Sequence, residues 1–152
     1  MVNINIVCVG NLKEKYWAQA CAEYAKRLSR FCKLNVIEVA EENKFEDIDK
    51  ILSREGENIL KKVSGEVVLL AIEGQAMSSE NLSSFIEKKM LVSGEITFII
   101  GGSYGVSEEV KKIAKTQISF GKITLPHNLA RVVLLEQLYR AFMISAGSAY
   151  HK

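Results

Sequence analysis

The chain predicts an α/β fold in which a mostly parallel sheet is sandwiched by helices. Three observations predict it. Short, β-rich apolar runs alternate with longer segments of helical period. Glycine recurs where those runs stop, at Gly10, Gly74, Gly101-Gly102 and Gly121, where backbone must turn sharply or approach a ligand closely. The length, 152 residues with 48% hydrophobic and 25% charged side chains, suits one domain, residues 1–152, that buries a core without disulfide staples.

Taken in order, Asn3–Val9 reads as a strand ending at Gly10, and Lys13–Leu28 as a helix with Trp17, Cys21, Tyr24, Ala25 and Leu28 on one face. Leu34–Val39 is a second strand. The acidic stretch Glu41–Asp49 leads into a helix striped by Ile48, Ile51, Leu52, Ile59 and Leu60. Glu66–Ile72 is almost continuously apolar, as suits a strand covered on both faces, and Gly74 is expected to end it. Ser78 or Ser79 caps a helix bearing Leu82, Phe85, Ile86 and Met90. Glu95–Ile100 stops at Gly101-Gly102. Ser107 caps a short helix, Glu108–Lys115, with acids first and lysines last, as the helix dipole prefers. Gln117–Phe120 is a short fifth strand, and Pro126 precedes a long helix from Asn128 to Ala146. In such sheets a ligand sits beyond the carboxyl ends of the strands.

Composition excludes other classes. Twenty basic against 18 acidic residues leave a net charge of only +2, which does not announce a nucleic-acid or membrane partner. The start Met-Val-Asn-Ile-Asn-Ile has no basic n-region or cleavage site, so no signal peptide is expected. The apolar runs fall short of the roughly 20 residues of a membrane helix. Cys8, Cys21 and Cys32 are an odd set without Cys-x-x-Cys spacing. They read as buried thiols of a reduced, cytoplasmic protein. With two histidines and no cysteine pair, no metal site is expected.

Three constellations carry chemistry. Gly101-Gly102-Ser103-Tyr104-Gly105 follows a buried strand and precedes a capped helix. It is either a tight turn or a loop presenting backbone N–H groups to a nucleotide-like ligand. It lacks the dinucleotide fingerprint, and no phosphate loop occurs anywhere. In Leu125-Pro126-His127-Asn128-Leu129-Ala130-Arg131, the histidine and arginine lie four apart and share a helix face once the helix has begun. A lone histidine there is as well explained by capping or surface exposure. The ending Ala149-Tyr150-His151-Lys152 is either a frayed tail or a stacking and phosphate-holding group.

Together with Val9-Gly10-Asn11-Leu12-Lys13-Glu14-Lys15-Tyr16-Trp17 and Arg131-Val132-Val133-Leu134-Leu135-Glu136-Gln137-Leu138-Tyr139-Arg140-Ala141, these motifs closely resemble the RlmH family over essentially the whole chain. The family comprises bacterial SPOUT-superfamily methyltransferases that move a methyl group from S-adenosyl-L-methionine to N3 of a pseudouridine in large-subunit (23S) ribosomal RNA. The resemblance implies a C-terminal deep trefoil knot, a homodimer, and ribosomal RNA or the ribosome as partner. It places the cofactor against Leu70, Gly101, Gly102, Gly105, Phe120, Gly121, Lys122, Ile123, Thr124 and Leu125. Its implied catalytic set is His127, Arg131, Tyr150 and His151. His127 and Arg131 then face the target base, with Arg131 stabilising negative charge on the ring. Tyr150 and His151, from the same chain or the second subunit, complete the RNA side, and His151 accepts the proton. A generic nucleotide-binding enzyme and a non-catalytic ribosome-assembly protein are the rival readings.

Charge is unevenly distributed. Residues 1–121 carry 16 basic and 17 acidic side chains, whereas residues 122–152 carry 4 and 1. Residues 10–33 hold 6 and 2, and residues 34–60 hold 3 and 8. Basic ends and an acidic middle are expected, with phosphate contacts at the ends and charge exchanges within 34–60 leaving ribosome binding nearly unchanged.

Overall fold

A computed structural model describes residues 1–44 and 47–152; Phe45 and Glu46, within the acidic stretch, lie outside the described residues. The elements are β1 (Val2–Val9), α1 (Lys15–Leu28), β2 (Cys32–Val39), α2 (Ile48–Leu60) and β3 (Glu66–Ala76). They continue with α3 (Ser79–Val92), β4 (Glu95–Ile100), α4 (Glu108–Ile113), β5 (Thr116–Ser119) and α5 (His127–Ser145). The five strands form one sheet in the order β2-β1-β4-β3-β5, and every paired neighbour is parallel.

Strand parity explains the two-faced core. Side chains alternate across a strand, so Ile4, Ile6 and Cys8 of β1 enter one cluster with Leu28, Leu82, Ile86, Leu134 and Leu138. Val7 and Val9 enter another with Leu69, Ile99, Ile59 and Val110. Helices α1, α3 and α5 therefore cover one face and α2 and α4 the other. Asn5 has the parity of Val7 but is polar. Its amide donates to Glu95 Oε2 at 2.8 Å and Thr97 Oγ1 at 3.3 Å, and its oxygen accepts from Asn35 at 3.0 Å, which satisfies a buried polar group.

The serine caps hold α3 and α4 as expected: Ser78 Oγ accepts from the Asn81 N–H and Ser107 Oγ from the Val110 N–H. Helix α5 starts after Pro126, at φ −55°, without a side-chain cap.

The largest departure from the sequence reading is in β3. Leu70 and Gln75 both pair with Ile118 of β5, so the intervening residues bulge out of the ladder. Gly74, expected to end the strand, lies inside it. A Cβ there would come within 2.8 Å of the backbone of Gln117 and Ile118, so glycine allows the bulge to return against β5.

Candidate functional site: a cavity over three strand ends

The bulge of β3 and the segments that follow β4 and β5 surround a cavity of about 570 Å³, within the usual range for small-molecule sites. Leu70 contributes from the edge of the β3 bulge, and Gly101, Gly102 and Gly105 from the glycine turn. Phe120, Gly121, Ile123, Thr124 and Leu125 come from the β5–α5 segment. Lys122 lies in that same segment but is exposed and does not line the wall. His127, the first residue of α5, closes one side with Ala130.

Glycine is required at the turn for space and for torsion. A Cβ on Gly101 would lie 2.8 Å from the Gly105 carbonyl oxygen and from Val106 Cγ1, while Gly105 has φ +86°. An isolated antiparallel bridge between Gly102 and Gly105, with the Gly105 N–H donating to the Gly102 carbonyl at 3.1 Å, closes the turn. Behind it, Gly56 of α2 lies against Ser107, where any side chain would collide.

The four residues of the implied catalytic set are not brought together in one chain. Arg131 does not line the cavity. Its side chain is 4% exposed, ion-paired to Glu38 Oε2 at 2.8 Å, and it donates to the Gly10 carbonyl at 3.3 Å. The guanidinium thus ties α5 to the ends of β1 and β2. Tyr150 and His151 fold back on the far half of α5. The Tyr150 hydroxyl donates to Glu136 Oε2 at 2.9 Å, and its ring meets Tyr139 edge-on. His151 bonds Arg140 through Nδ1 and Glu80 through Nε2. Burial alone would raise the Glu136 carboxyl; hydrogen bonds from Arg140 and Tyr150 outweigh it and hold the group below its ordinary range. Arg140 is thirteen residues beyond His127, about 20 Å along a helix.

Sequence reasoning missed three groups at this site. Lys111 of α4, whose Nζ lies 3.5 Å from Glu108 Oε1, and Glu73 of the β3 bulge both line the cavity. Glu41, just beyond β2, accepts from Ser103 Oγ at 3.2 Å. Only the bulge, which carries Glu73, had a signal, as an expected strand end. Among the described residues no cluster of His, Cys, Asp and Glu could hold a metal, and no helix is long and apolar enough to cross a membrane.

The sequence matches the family described as predicted SPOUT methyltransferase over residues 2–151. The chain belongs to the SPOUT methyltransferases. Among its SPOUT relatives is the ribosomal RNA large subunit methyltransferase H of Levilactobacillus brevis, 52% identical over 160 residues, spanning 99% of this chain and all of that one. The protein of the same name from Streptococcus gordonii is 52% identical over 159 residues with the same coverage. A solved structure described as a probable methylase family protein from Haemophilus influenzae superposes with a TM-score of 0.54 at 13% identity. That superposition covers 95% of this chain and 66% of that one, and shows the fold alone.

Proposed function

We propose that this SPOUT enzyme transfers the methyl group of S-adenosyl-L-methionine to N3 of a pseudouridine in large-subunit ribosomal RNA. The observation that carries it is the cavity at the strand ends, edged by His127, in a chain aligned end to end with relatives named ribosomal RNA methyltransferases.

The residues present fit such a cofactor. Gly101 leaves a cradle that a Cβ would fill, and Leu70 and Leu125 offer apolar faces for an adenine. Lys111 and Glu73 complement a carboxylate and an ammonium group. Backbone groups of 101–105 and 120–125 hold the rest, and in this reading the latter segment belongs to the trefoil knot of a single-domain chain. When bound, the cofactor supplies an electrophilic methyl on a sulfonium that is its own leaving group. What the chain must do is position the base and accept its N3 proton. His127 borders the position of the base. Arg131, behind Gly10 and paired with Glu38, is the cation assigned to stabilise negative charge on the ring. His151 is the proposed proton acceptor.

His151 and His127 sit at opposite ends of α5 in one chain. A homodimer in which one subunit's tail meets the other's cavity would unite them; a ribosomal substrate, separately, implies a cytoplasmic location. The test is incubation with ribosomes lacking the modification and labelled S-adenosyl-L-methionine, followed by mapping of the methylated nucleotide. His127→Ala and His151→Ala are expected to keep donor affinity and lose methyl transfer; unchanged turnover in both would sink the proposed roles.

A further inference from the structure

Beside His127, just outside the residues that line the cavity, stands a carboxylate with no part in the methyl-transfer roles, Glu41. Gly10 ends β1 with φ +96°, and its N–H donates to the Val39 carbonyl at 2.8 Å. The point that a Gly10 side chain would occupy lies 3.7 Å from His127 Nε2 and 3.8 Å from Glu41 Oε2. Imidazole and carboxylate thus flank the same small space.

Glu41 is solvent-exposed and is placed there by one side-chain hydrogen bond and by the anchoring of its neighbour. Its Oε1 accepts from Ser103 Oγ, and Ser103 is part of the cavity wall. The next residue, Glu42, donates its N–H to Glu55 Oε2 at 2.9 Å. Glu55 is a carboxylate of α2 only 4% exposed, and its Oε1 lies 3.2 Å from the point a Gly102 side chain would occupy. Burial raises Glu55, and the Glu42 N–H works against that rise. A buried acid is costly unless hydrogen-bonded; this one spans the 41–42 segment and the glycine turn. Glu41 Oε2 accepts no hydrogen bond among the described residues and remains available to a ligand.

The chemistry of the target base gives that oxygen a use, and this step rests on the function proposed above. Pseudouridine is joined to its ribose through carbon, so its ring has N–H groups at both N1 and N3, on either side of the C2 carbonyl and pointing in divergent directions. Uridine has only the N3 hydrogen; the matching edge presents C5–H. A fixed anionic acceptor beside the cavity can therefore take one ring N–H while the other nitrogen points at the donor.

We propose that Glu41 determines specificity for pseudouridine by accepting the N1–H of the target base, with Glu55 as the positioning residue that holds its segment. Such a charge-assisted bond is strong. A uridine in the same pose leaves the carboxylate desolvated against a C–H group, which is how polar sites reject an analogue lacking a donor.

The experiment compares initial methylation rates of wild type, Glu41→Ala and Glu41→Gln. The substrates are ribosomes carrying either pseudouridine or uridine at the target position. Wild type is expected to prefer pseudouridine. Glu41→Ala should lose about 10- to 100-fold in kcat/KM on pseudouridine, chiefly through KM, with uridine no worse or improved, so that the preference collapses. Glu41→Gln retains an acceptor oxygen and should recover much of the preference. Calorimetric affinity for S-adenosyl-L-methionine without RNA should match in all three. Equal losses on both substrates, an unchanged preference in Glu41→Ala, or a wild type that does not discriminate would each overturn the inference while leaving the methyltransferase intact. A wild type that methylates neither ribosome overturns the proposed function, and the inference with it.

Discussion

Arg131 shows how much one side chain can organise without touching a ligand. Its guanidinium satisfies the carbonyl of Gly10 and pairs with Glu38, whose side chain is 42% exposed. Because water can reach Glu38 once the pair is broken, Arg131→Met is expected to cost about 1–3 kcal/mol, below the usual loss for a fully buried pair. Urea midpoints should fall at unchanged m-value. Cys8 is a second case. Burial, partly offset by Arg131, pushes its thiol from 9.0 to about 12, and burial pushes Cys32 to about 11. The unfolded thiols ionise first, so their stabilising effect is complete below pH 9.0 and is lost as pH rises toward about 12. Urea midpoints taken from neutral to alkaline pH should decline, and Cys8→Ala should flatten that decline.

Among the elements, those with short apolar runs were the easiest to read. Strands β1 and β4 stand where Asn3–Val9 and Glu95–Ile100 predict them, because buried parallel strands are marked by their own residues. The continuation of β3 past Gly74 was hidden, since Glu73-Gly74-Gln75 looks like a turn and the return depends on backbone contact with β5. Residues at three of the four expected strand ends, Glu73, Gly101-Gly102 and Phe120-Gly121, line the cavity, and Gly10 does not. Glu41 escaped notice because its acidic neighbours resemble a solvated loop, and the hydroxyl that holds it is 62 positions away. Arg131 was legible as a helix-face cation, but its partner Glu38 is 93 positions distant. The glycine turn allows a direct test at this scale. Gly101→Ala places a Cβ against Gly105 and Val106 and should reduce donor affinity at least tenfold. Gly105→Ala meets open space and is opposed only by its positive φ, a cost of about 1–2 kcal/mol to folding that should leave donor affinity less affected. Calorimetry should rank the two in that order.

For the whole molecule, folding rearranges the charge map that the sequence suggested. The acidic middle does not stay remote, since Glu38, Glu41 and Glu55 gather at the ends of β1 and β2 and at the glycine turn. Exchanges at exposed positions such as Lys50 and Glu57 are still expected to leave ribosome binding nearly unchanged, whereas Glu41 is set apart by its place beside His127. Contacts from the basic segments 10–33 and 122–152 predict that ribosome affinity falls linearly on a log–log plot against salt. Charge reversals at Arg30 and Lys122 should shallow that slope, and an unaltered slope would count against contacts there.

The bond from Arg131 to Gly10 joins positions 121 apart, and that separation has a consequence for synthesis. Strands β1 and β2 can pair early, but the helix that fastens their ends emerges nearly last. The same helix brings His127 to the cavity, whose third wall also comes from late residues. A nascent chain can therefore carry a partly formed sheet without any competent site. Completion of the C-terminal segment, rather than early folding, is the event that closes the cavity.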